Sequence, residues 1–220
     1  MASMNEKVEK RFANVSKSVT FRNIVDTYDL GNKEVLDIGC SFGEFVAHFG
    51  KGSTGVTIAK NEAEYGAERG LDIRYGNIED ESFSLEKKYD VIFANNIFEH
   101  LYSPHYFLYQ IRKYLKPGGI LILGVPCIPT CSWLLRFKKF RGSMAVAHIN
   151  FFTKQTLRYT AIRGGWLPMA VRGFHFKHPV IDHLFDLVYP HFYVVAHADP
   201  DFAYTAKRMK ELIGYDHIEK

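Results

Sequence analysis

The chain has 220 residues, 47% hydrophobic and 24% charged, which is enough for one well-buried core and typical of an ordinary globular protein. A net charge of +4 is too mild to point to nucleic acid, which needs lysines and arginines clustered on a face, and no run approaches the roughly 20 apolar residues of a membrane span. The N-terminus is charged and lacks the apolar centre of a secretory signal, and the three cysteines form no paired framework, so a cytoplasmic protein with free thiols is expected.

In chain order, residues 5–29 place Val8, Phe12, Val15, Val19, Phe21, Ile24 and Val25 at helical spacing, with Gly31 as a stop, which predicts one or two leading helices. EVLDIG is then a short strand, and EFVAHFG has helical spacing. TGVTIA predicts a second strand, NEAEYGAERG a helix, LDIRYGN a third strand and YDVIFAN a fourth. SPHYFLYQIRKYL predicts a helix that leads through KPGG into the strand ILILGVP. Past Pro126 the pattern loosens. TKQTLRYTAIRGG predicts a helix, LPMAVRGFHF and YVVAHAD are late strand candidates, and the tail from Pro200 has a helical, charged character.

Strands alternating with helices at this pitch imply right-handed crossovers and a mostly parallel sheet covered on both faces. In such a sheet a ligand sits beyond the carboxyl ends of the strands, so the strand-to-helix junctions are where chemistry is sought. At the first junction, LDIGCSFGEF, Gly39 and Gly43 allow a tight turn and close approach of backbone to a ligand. A dinucleotide fingerprint would read G-x-G-x-x-G, whereas here Ser41 stands at the middle glycine and the acid Asp37 lies two residues ahead of the first, which disfavours a dehydrogenase. Asp37 would suit an ammonium group or would brace the turn through backbone amides. Cys127 and Cys131 lack a second pair of ligands nearby, so no metal is expected.

EVLDIGCSFGEF resembles the first motif of class I S-adenosylmethionine-dependent methyltransferases. YDVIFANNIFEHLYSPHYFLYQIRKYLKPGGILILGVP resembles their fourth strand, following helix and fifth strand. With GVTIAKNEAEYGAERG and YGNIED between them, the likeness covers about half the chain in order. It implies a Rossmann-like, mostly parallel seven-stranded sheet and S-adenosyl-L-methionine as cofactor. It also implies a single domain, 1–220, with N-terminal helices (1–30), a cofactor-binding half (31–126) and an acceptor-side half with a lid segment and a C-terminal helix (127–220).

The resemblance carries roles onto residues. The loop from Asp37 through Gly39, Cys40, Ser41 and Phe42 to Gly43 would wrap the amino-acid end of the cofactor. Where the family usually ends its second strand with an acid for the ribose, this chain has Thr57. The segment GVTIAKNEAEY is instead similar to cyclopropane fatty acid synthases, which makes Glu62 the ribose acceptor unless it is an exposed helix acid. Asn77 and Ile78 match the pair that meets adenine, although Asn also suits a turn for its own reasons. In NNIFEHL, Asn95 would lie beside the methionine part and Ile97 would cover adenine. Glu99 and His100 resemble the Glu-His pair of small-molecule methyltransferases, and His100 would act in catalysis or pin the loop.

AHINFFTKQTLRYTAIRGGW resembles the family segment over the acceptor pocket, so His148 becomes the first candidate general base and His100 the second, with plain packing beside Phe151 and Phe152 as the alternative for His148. The implied function is methyl transfer, expected on oxygen, to a small-molecule, sugar or lipid-linked acceptor. A non-catalytic binding subunit and cyclopropane synthase-like lipid chemistry are the competing readings. In CSWLLRFKKFRGS, aromatic and aliphatic residues interleave with Arg136, Lys138, Lys139 and Arg141, so 131–141 would suit an anionic membrane surface, a phosphate-bearing acceptor or a lid whose charges are solvated.

Overall fold

The computed structural model describes residues 4–80, 82–186 and 190–213. Two leading helices, α1 (Met4–Lys17) and α2 (Val19–Tyr28), precede β1 (Val35–Ile38), β2 (Thr54–Thr57), α3 (Lys60–Glu68), β3 (Ile73–Tyr75) and β4 (Tyr89–Asn95). There follow α4 (Pro104–Ile111), β5 (Leu115–Pro126), α5 (Lys154–Arg163), β6 (Trp166–Arg172), α6 (Pro179–Leu184), β7 (His191–Ala198) and α7 (Ala206–Ile213). The strands form one seven-stranded sheet in the order β3-β2-β1-β4-β5-β7-β6. Pairs from β3 to β5 are parallel, and β7 runs antiparallel to both its neighbours.

Burial on both faces follows from the alternation of side chains along each strand. Leu36, Ile38, Ile92, Ala94, Leu121 and Leu123 point to the face covered by α4 and α5, where Phe107, Leu108, Ile111 and Leu157 complete the larger core cluster. Val35, Val91, Phe93, Ile120 and Ile122 point to the other face, against Phe21 and Ile24 of α2. Caps fix the helix starts: Ser18 accepts from the Phe21 amide, Ser103 from Tyr106, and Thr153 forms a capping box with Thr156.

The structure departs from the expected elements in three places. EFVAHFG forms a short 3-10 turn, Val46–His48, rather than a helix. α2 already occupies that face, and Phe45 and Phe49 instead insert their rings against Phe93, at 5.4 and 5.5 Å between centroids. LPMAVRGFHF is extended only through Arg172, because the chain turns at Phe174 with φ 58° and Asp182 accepts from the amides of Phe174, His175 and Phe176. The tail is helical only from Ala206, and positions 214–220 lie outside the described residues. No helix among the described residues is long and apolar enough to cross a membrane.

Candidate active site

The carboxyl ends of β1, β2 and β4 border a cavity of about 400 Å³, whose walls include Gly39, Ser41, Thr57, Glu62, Asn77, Ile78, Ile97 and His100. A second hollow of about 320 Å³ shares Gly39, Ser41 and Asn96 with it and is completed by Cys40, Glu44, Asn95 and, from α1, Arg11 and Asn14. Gly39 stands at the join with φ +77°, and a Cβ there would come within 2.9 Å of Ile97. Both the backbone angle and the closeness call for glycine.

At the second junction Glu62, in the first turn of α3, is gripped by two hydroxyls. Thr57 Oγ1 donates to its Oε2 at 2.5 Å and Ser41 Oγ to its Oε1 at 2.9 Å. Each carboxylate oxygen keeps a further lone pair, so the pair can still accept from a diol in the cavity. Ile78 is buried in the core, while Asn77 is exposed with its Oδ1 accepting from the Glu79 amide at 3.0 Å, a local turn that leaves one acceptor site on that oxygen. Glu79 also lines the cavity, and burial raises its carboxyl pKa above the ordinary value.

The second hollow has an excess of acceptors. Glu44 Oε2 and Asn95 Oδ1 on its wall, and Asp37 Oδ2 beneath the turn, are all buried without a hydrogen-bond partner among the described residues. Burial, reinforced by Glu44, pushes the Asp37 carboxyl well up. Glu44 Oε1 is clasped by Arg11, at 2.8 Å from Nε and 2.5 Å from the terminal nitrogen. Unmatched buried acceptors are costly, and an ammonium group, all donors, matches them, while Arg11 beside them matches a carboxylate. An amino-acid moiety, such as the methionine end of S-adenosylmethionine, therefore fits this hollow, and a nucleoside fits the first.

Three residues of the loop do not reach either cavity wall. Asp37 lies beneath the turn, Phe42 packs its ring against Tyr65 at 5.4 Å, and Gly43 makes room for Leu71 and Ile73, 2.8 and 3.0 Å from where a Cβ would stand. Cys40 is buried, and burial raises its thiol pKa. Arg11 and Glu44 are wall residues that periodicity alone presents as charges on helical faces; the tertiary clasp between them is not visible in the linear pattern.

The fourth junction brings both candidate histidines together. His100, on the cavity wall, donates from Nδ1 to the Ala147 carbonyl at 2.9 Å, and His148 donates from Nδ1 to the Ser143 carbonyl at 3.1 Å. A carbonyl can only accept, so in each neutral ring Nε2 is the bare nitrogen. Both Nε2 atoms face Glu99 Oε1, at 3.9 and 3.8 Å. The Glu99 side chain is 2% exposed and its Oε2 has no hydrogen-bond partner among the described residues; burial raises its pKa, and the two histidines act in the opposite direction. The Ile149 and Asn150 amides bond the Glu99 carbonyl at 3.0 Å each, which ties the acceptor-side segment to the loop. Ligand atoms of Glu99, His100 and His148 lie within 4.8 Å of one another, a spacing that also suits a divalent cation.

Comparison with known proteins agrees with this fold. A methyltransferase-domain family matches residues 8–163. The chain is 30% identical over 150 residues to a ubiquinone biosynthesis O-methyltransferase of Maricaulis maris, covering 64% of this chain and 51% of that protein. With the protein of the same name from Caulobacter vibrioides it shares 36% identity over 99 residues, 41% of this chain and 39% of the relative. The chain thus spans about half or less of the length of these two relatives. Among solved structures, an S-adenosylmethionine-dependent methyltransferase from Clostridium acetobutylicum superposes with a TM-score of 0.66 at 10% identity, covering 89% of this chain and 99% of that one. A possible histamine N-methyltransferase from Thermotoga maritima gives 0.59 at 17% identity, with 88% and 95% covered. At these identities the structures speak to the fold, and the family match speaks to descent: the chain belongs to the class I S-adenosylmethionine-dependent methyltransferases.

Proposed function

We propose that this chain transfers the methyl group of S-adenosylmethionine to a hydroxyl oxygen of a small-molecule acceptor. The observation that carries the reading is the pairing of two features at one rim: a hollow of orphaned acceptors closed by Arg11, and a histidine with a bare Nε2 on the adjoining wall. The cofactor, when bound, supplies an electrophilic methyl carbon on a sulfonium.

The chain's own residues do the rest. Glu44, Asn95 and Arg11 hold the amino-acid end, Ser41, Thr57 and Glu62 the ribose, and Asn77, Ile78 and Ile97 the adenine. His100 accepts the proton that leaves the acceptor hydroxyl at its Nε2, with Nδ1–H anchored on Ala147 and Glu99 stabilising the positive ring. His148, partly buried alongside and sharing Glu99, is the second candidate for that proton.

The named relatives act in ubiquinone biosynthesis, and that name supports an acceptor of this kind, lipid-linked, for the present chain as well. The segment 131–141, with Trp133 and Phe137 exposed beside its basic residues, would then rest on an anionic bilayer from the cytoplasmic side. Calorimetry with S-adenosylhomocysteine tests the cofactor site directly. Absence of heat with a folded protein overturns the reading.

A further inference from the structure

A cavity larger than the one that fits the cofactor lies elsewhere among the described residues. About 810 Å³ opens between the start of α5 and the edge strand β6, and it shares no lining residue with the cofactor cavity. Its floor is apolar: Met169 and Val171 of β6 line it, and Met169 is 52% exposed. Edge strands are ordinarily guarded by charge or proline. Pro168 provides such a guard here, so the apolar Met169 beside it is free to serve the groove.

One wall is basic. Lys154 and Arg158 stand one helical turn apart on α5 and both face the groove. Lys154 is committed, its Nζ held by Asp186 Oδ2 at 2.5 Å. Arg158 is exposed and makes no ion pair among the described residues. The wall therefore offers one uncompensated positive charge, on a planar fork that matches a carboxylate. A dianionic phosphate would call for a second free cation.

The groove also neighbours the reaction centre, across a pair of buried, stacked rings. Thr153 on its rim follows Phe152, whose ring stacks on Phe98 at 5.0 Å between centroids, and Phe98 adjoins Glu99. We propose that this groove binds the remote end of the methyl acceptor and that this end is an apolar body bearing one carboxylate. The assignment to an acceptor rests on the methyl-transfer reading above; the carboxylate chemistry rests on the groove alone.

Decanoate, titrated into the full chain below its micellar range, tests it by calorimetry. The expected result is saturable binding at one site, weakened about tenfold or more by Arg158→Gln and by Met169→Asp, with decanol binding at least as much more weakly. Both substitutions are at exposed positions, so the folded state is retained and far-ultraviolet circular dichroism checks it. Equal binding of decanol and decanoate, or unchanged decanoate binding in both variants, overturns the groove. S-adenosylhomocysteine titrated into the same samples reads the cofactor cavity separately. Decanoate lost with that heat intact removes the groove alone, whereas decanoate binding without that heat keeps the carboxylate site and removes its link to methyl transfer.

Discussion

His100 and His148 meet edge to face, with ring centroids 4.8 Å apart and planes at 80°, and both turn their bare nitrogen to the same oxygen of Glu99. Two residues proposed for one task are thus a single unit, and substitutions separate their parts. His100→Ala is expected to lower kcat by about 10²–10⁴ with S-adenosylhomocysteine affinity unchanged, the loss typical of a general base. His148→Ala is expected to cost about 1–2 kcal/mol of stability through its packing and its bond to Ser143, with a smaller loss of turnover. Full turnover in the His100 variant, with the large loss in the His148 variant, reverses the roles.

Glu62 serves as the floor of a polar clasp, so Glu62→Ala tests whether it meets the ribose. With the side chain partly exposed, stability is expected to change by less than about 1 kcal/mol, while affinity for S-adenosylhomocysteine falls about tenfold. The measurement is a titration of both proteins with the nucleoside, and equal affinities would show that Glu62 only braces the loop through Ser41 and Thr57.

Gly39→Ala places a methyl against Ile97 at a backbone angle of +77°. The left-handed angle alone costs about 1–2 kcal/mol. Chemical denaturation should record that loss, and binding of S-adenosylhomocysteine should fall because the turn lies at the join of the two hollows. A variant with wild-type stability would contradict the strain.

His191 gives a signed pH dependence. Its Nε2 donates to Asn96 Oδ1 at 2.8 Å, and burial lowers its pKa from 6.5 to about 4. Above pH 6.5 the ring is neutral in folded and unfolded chains, and it contributes no slope. Between 6.5 and 4 the unfolded chain takes up a proton that the folded chain refuses, so stability falls with pH, by at most about 1.4 kcal/mol per pH unit. His191→Gln keeps an N–H for Asn96 and removes that contribution. Urea melts from pH 7 to 4 with the same slope in both proteins would refute it.

For the 131–141 segment, each cation near an anionic surface is worth about 1 kcal/mol. Replacing Lys138, Lys139 and Arg141 with Glu is expected to abolish sedimentation with anionic liposomes at low salt and to leave S-adenosylhomocysteine binding intact. Wild-type protein that stays in the supernatant would end the membrane reading.

The sheet was readable because its central strands are buried on both faces, which writes near-continuous apolar runs such as VIFA and ILIL into the chain, and because Gly39 and Gly76 directly follow β1 and β3. EFVAHFG is the exception: it has helical spacing, yet Phe45 and Phe49 satisfy it by packing with Phe93 in a short turn, since period alone does not reveal that α2 has taken the space. Of the residues that line the two candidate cavities, those at the strand ends were legible, among them Gly39, Thr57, Asn95 and His100. Arg11 was not, because its partner Glu44 stands 33 residues away and only the folded chain brings the two together. The β6 groove was likewise invisible, being made of segments none of which is unusual by itself.

One wall of the amino-acid hollow is borrowed from α1, a helix whose single fully buried side chain among its described residues is Val8. Its other ties include Val15 packed against the core, Phe12 beneath the Arg69 guanidinium, the clasp of Arg11 on the buried Glu44, and the exposed Glu9–Arg69 ion pair, which is of a kind worth little. A guest that pairs with Arg11 adds its own binding energy to those ties. Occupancy of the site should then be legible at the N-terminus as slower proteolysis and slower amide exchange across residues 4–17.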